Sequence, residues 1–99
     1  MKFTTDFTTI NSDAYVAISK EIVANLNASP ILICKYSNHP EDDYLYLYIA
    51  QSPNGYITGL ANTSRSYGVG LYENHYNLSF DVAMSIMANK IKDCNKGGN

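Results

Sequence analysis

Tryptophan is missing from this chain of 99 residues, arginine occurs once, as Arg65, and cysteine twice, as Cys34 and Cys94. Each scarcity narrows the function. A single arginine and a formal net charge of −2 leave neither the guanidinium forks nor the basic field with which proteins hold phosphate backbones, so direct nucleic-acid binding is not expected. Two distant cysteines outside any CxxC pattern make neither a zinc site nor a disulfide framework. Long apolar runs are missing too. None approaches the roughly 20 residues of a membrane-spanning helix, and no apolar stretch follows Lys2 to make a secretory signal. The expectation is a cytoplasmic protein with no membrane contact.

What the chain has in quantity is tyrosine: nine residues, three of them alternating in Tyr44-Leu45-Tyr46-Leu47-Tyr48-Ile49. Successive strand side chains point to opposite faces. Leu45, Leu47 and Ile49 therefore share a core-like face, and Tyr44, Tyr46 and Tyr48 share the other. A row of tyrosines is too apolar for an ordinary wet surface, yet its hydroxyls need partners.

A chain of this length makes one domain, here residues 1–94, with the glycine-rich 95–99 as a flexible tail. Residues 2–10 read as a short strand or an extended arm. Asn11, Ser12 and Asp13 signal a helix start, and Tyr15, Ile18, Ile22, Val23 and Leu26 recur near 3.6-residue spacing, predicting a helix over 12–27 that stops before Pro30. Strands are predicted at Ile31–Tyr36, 43–51, Tyr56–Asn62 and Tyr67–Tyr72, with turns at 38–42, 52–55 and 63–66. Glu73–Leu78 reads as a loop. Ser79 then caps a second helix over 79–94, with Phe80, Ala83, Met84, Met87 and Ile91 on one stripe. The fold class is α+β: an antiparallel meander of about four strands with two helices packed on one face.

Turn positions also predict register. If Gln51 pairs with Tyr56, then Leu47 faces Leu60, Tyr48 faces Gly59 and Tyr46 faces Ala61. If Asn62 pairs with Tyr67, Leu60 meets Val69. Glycine and alanine then gather on the tyrosine face. One consequence is rings lying over bare glycines as packing; another is a recognition surface, because tyrosine is enriched at interface centres.

No residue pattern carries a reaction. His39 and His75 lack further metal ligands at diagnostic spacing, so no metal and no cofactor is expected. Cys34, inside Ile31-Leu32-Ile33, reads as a buried, reduced, inert thiol. Gly68 and Gly70 make no phosphate loop. Glu41, Asp42 and Asp43 form the densest charge cluster, and Arg65 sits at a predicted hairpin tip. The expectation is a non-catalytic protein acting by protein–protein contact, an inhibitor or immunity-type protein of the kind phages and other mobile elements carry as anti-defence factors. It would block a larger host protein or complex through Tyr44, Tyr46, Tyr48, Glu41, Asp42, Asp43 and Arg65, as a monomer or homodimer. The alternative is a binder that sequesters a small ligand or nucleotide between stacked tyrosines.

Overall fold

The computed structural model describes residues 12–36, 44–64 and 68–97, with only the backbone of Ser12 and of 94–97. The element order is α1 (Ser12–Leu26), β1 (Ser29–Lys35), β2 (Leu45–Ser52), β3 (Gly55–Asn62), β4 (Gly70–Leu78) and α2 (Phe80–Gly97). The strands form one antiparallel sheet in the order β1-β2-β3-β4. This is the expected α+β meander with two helices. The predicted arm at 2–10, the turn at 38–42, Glu41, Asp42, Asp43 and Arg65 lie outside the described residues.

Local chemistry explains the helix ends. Asn27 takes a left-handed conformation, φ 51°, the C-terminal cap geometry that asparagine tolerates, and β1 follows. Ser79 caps α2 as predicted: its hydroxyl accepts the Val82 N–H at 3.2 Å and its carbonyl accepts the Ala83 N–H at 3.0 Å.

The β2–β3 register is as predicted, with Leu47 opposite Leu60, Tyr48 opposite Gly59 and Tyr46 opposite Ala61. Gly55 ends this turn at φ 141°. A Cβ there would meet the Asn77 and Leu78 backbone at 3.1 Å, so glycine is required both for the turn and for the closeness of β4. Between β3 and β4 the prediction fails. Leu60 faces Tyr72 rather than Val69, a slip of three residues. Asn62 starts a wider loop by accepting from the Ser64 N–H and hydroxyl at 2.8 and 2.7 Å. The predicted loop at 73–78 is instead strand, interrupted by two register shifts. Glu73 and Asn77 lie near them at φ 54° and 61°. Such bulges hid the strand from a strict alternation reading.

The helices do not share a face, which corrects the sequence expectation. Leu47, Ile49 and Leu60 pack with Ala83 and Met87 of α2. Tyr46, Tyr48, Ala50 and Ala61 pack with Ala14, Ile18 and Ile22 of α1. The sheet is sandwiched between the two helices. The physical reason is that the tyrosine face, lined with alanine and glycine, is apolar enough to need its own cover. The odd-numbered β3–β4 slip also turns Leu71 to the α1 side and Tyr72 to the α2 side.

Candidate functional site

The tyrosine row divides into two interior residues and one surface residue. Tyr46 and Tyr48 are buried at 3% and 0% exposure, whereas Tyr44 is 38% exposed. The expected open tyrosine face is therefore core in this fold, and Tyr46 and Tyr48 are not accessible to a partner. Their hydroxyls do not prevent burial, because an interior phenol is tolerated once it has a partner. Tyr48 crosses Gly59 and donates to Oδ1 of Asn74 on β4. Burial, then the neighbouring Tyr76, holds its hydroxyl above the ordinary tyrosine range, so it stays a donor.

Tyr44 stands just before β2. Its carbonyl accepts the Thr63 N–H at 2.9 Å and the Thr63 hydroxyl at 3.2 Å. Beside it, the Tyr36 N–H donates to the Leu45 carbonyl at 3.2 Å, extending the β1–β2 ladder by one residue. Tyr72 lies in the adjacent row, reached through Cys34 opposite Leu47 and Leu60 opposite Tyr72. Tyr36 and Tyr72 both pack half-buried against the α2 side of the core. Three tyrosines thus gather at one end of the sheet.

The electrostatics of Tyr72 reflect this gathering. Burial pushes its hydroxyl up first. The Glu73 carboxylate and the hydroxyls of Tyr36 and Tyr44 push the same way, and Lys90 opposes them. Lys90 of α2 also donates to Glu73 at 2.6 Å, closing one flank. Tyr36 and Tyr72 were not singled out in the sequence. Each shares a sheet face with core aliphatics, so parity alone marks them as packing residues, and only the observed β4 register brings Tyr72 to this end.

Other chemistry-bearing groups are separate from it. Burial pushes the Cys34 thiol up to about 11, and its sulfur lies 3.9 Å from that of Met87, deep under α2. Among the described residues no three histidine, cysteine or acidic side chains converge to hold a metal, and no helix is long and apolar enough to cross a membrane. An open groove of about 450 Å³ runs between the end of α1 and the β2–β3 turn. Val23, Asn27, Gln51 and Pro53 are among its lining, which has no charged side chain. No protein-family model, no curated protein and no solved structure matches this chain.

Proposed function

We propose that this chain is a non-catalytic binding protein that acts in the cytoplasm by protein–protein contact, an inhibitor or immunity-type protein blocking a larger effector. The contact is centred on Tyr44, with Tyr36 and Tyr72 beside it. The observation that carries this reading is the gathering of these tyrosines at one sheet end, with Tyr44 the exposed member of the original row. A half-exposed phenol backed by two others offers rigid apolar area with a polar tip, the character of an interface centre.

The acidic Glu41, Asp42 and Asp43 directly precede Tyr44 in the chain, and Arg65 follows Thr63 and Ser64. Chain connectivity alone keeps them near Tyr44, since a residue spans at most about 3.6 Å. They belong to the proposed rim, where charges steer association more than they hold the complex.

Two further observations support contact through side chains rather than through a reaction or a shared strand. A thiol with its pKa pushed to about 11 is not a nucleophile at neutral pH. The outer strand β4 is bent by left-handed Glu73 and Asn77, which spoils it as a template for strand addition. The ligand-sequestering alternative draws no support from Tyr46 and Tyr48, whose rings are covered, nor from an uncharged groove.

The test is capture of partners from the native host cell with the wild-type chain and with a folded Tyr44→Ala variant, read by mass spectrometry. A protein retained by the first and lost by the second supports the reading. Equal retention of every captured protein by the two baits overturns it.

A further inference from the structure

The opposite margin of the sheet has a different character, and this inference is independent of the tyrosine end. Tyr15, Val16 and Val23 on α1 and Ile31 on β1 are 45%, 50%, 56% and 47% exposed. Val16 and Val23 are seven residues apart and lie on one line along the helix. α1 approaches β1 more closely than it does any other strand. The helix thus buries Ala14, Ile18 and Ile22 inward while keeping large apolar side chains outward. A helix apolar on both sides calls for cover on both sides.

The strand beneath it is the outer strand of the sheet. Outer strands in monomers are usually blunted by charge, bulges or proline. β4 is blunted by Glu73 and by two register shifts. β1 has its irregularity confined to Pro30 and Ile31 at its start, and its one charged residue, Lys35, is its last. Its middle is uncharged.

We infer that β1 and the outer side of α1 form a two-fold contact with a second copy of this chain. Antiparallel pairing of a strand with its own copy is self-complementary by symmetry. With the axis at Leu32, the middle of β1, Lys35 faces the second copy's Ser29 and no like charges meet. The sheet becomes continuous across the axis, and the two α1 helices flank each other over it. That brings Val16, Val23 and Ile31 under cover together. The area is sufficient: a standard interface takes about 800 Å² from each partner, roughly one 30 × 27 Å side of this body.

The test is light scattering or sedimentation of the purified full chain at several concentrations across the micromolar range. The wild type is expected at twice its 11.0 kDa mass. Ile31→Lys, which puts a charge on the outer strand, and Val23→Lys, on the helix, should each return it to the monomer mass with an unchanged far-ultraviolet spectrum. His75→Lys on β4 should leave the dimer intact. Should one lysine variant fail to fold, the other decides. A wild type monomeric at every concentration overturns the inference, as does a dimer that survives the folded lysine variants or that His75→Lys dissociates.

Discussion

The Tyr48 hydroxyl on β2 donates to Oδ1 of Asn74 on β4, passing over the bare backbone of Gly59 on the strand between them. One hydrogen bond thereby ties an inner strand to an outer one. It also satisfies a phenol that has no access to water, at a point where the middle strand has no side chain of its own.

A Cβ on Gly59 would lie 3.0 Å from the Tyr48 ring and its hydroxyl oxygen, and against the Asn74 side chain. Gly59→Ala should therefore destabilise by about 1–3 kcal/mol, the usual penalty for overpacking. Tyr48→Phe, which removes the donor and keeps the ring, should cost about 1 kcal/mol. Both are read as denaturant midpoints at constant slope. A stabilising Gly59→Ala would mean that the ring does not lie over this strand.

Leu47 is completely buried between β3 and α2. Leu47→Ala should cost about 2–5 kcal/mol. A near-neutral melt would contradict the assignment of the aliphatic face.

The Cys34 thiol is raised from 9.0 to about 11 by burial. Above pH 9 the unfolded chain gives up this proton while the folded chain keeps it. The folded state then binds more protons, so this contribution to stability is full below pH 9 and falls as pH rises toward 11. Tyr48 and Tyr72, also raised, act in the same direction above pH 10. Unfolding midpoints should drop across this alkaline range, and less steeply in Cys34→Ala. In a Cys94→Ser background at neutral pH, native Cys34 should alkylate far more slowly than in denaturant. Rapid native labelling would reopen nucleophilic chemistry at this residue.

The residues show how far the sequence could be read. Alternation in 44–49 and the Ser52–Gly55 turn were enough for β2, β3 and their register, because a short turn leaves pairing little freedom. The caps at Asn27 and Ser79 were legible for the same local reason. Leu60 opposite Tyr72 was not, because a wide loop and two bulges separate the turn signal from the pairing it sets. The side taken by α1 was not legible either. Tyr46 and Tyr48 combine polar tips with apolar bodies, and their placement depends on whether a partner such as Asn74 is within reach inside. That partner lies in a segment which read as loop, so the proposed site had to shift from the middle of the tyrosine row to its end, where Tyr36 and Tyr72 carry no alternation signal.

The most direct test of the central claim is the dissociation constant of a partner captured by the wild-type chain, measured against a folded Tyr44→Ala variant. Tyr44 is expected to lie at the energetic centre of the contact, so its truncation should weaken binding by about 2 kcal/mol, roughly thirtyfold, chiefly through faster dissociation. Neutralising Glu41, Asp42 and Asp43 together should instead slow association and flatten its salt dependence. A folded Tyr44→Ala protein that binds the same partner with undiminished affinity would contradict the claim.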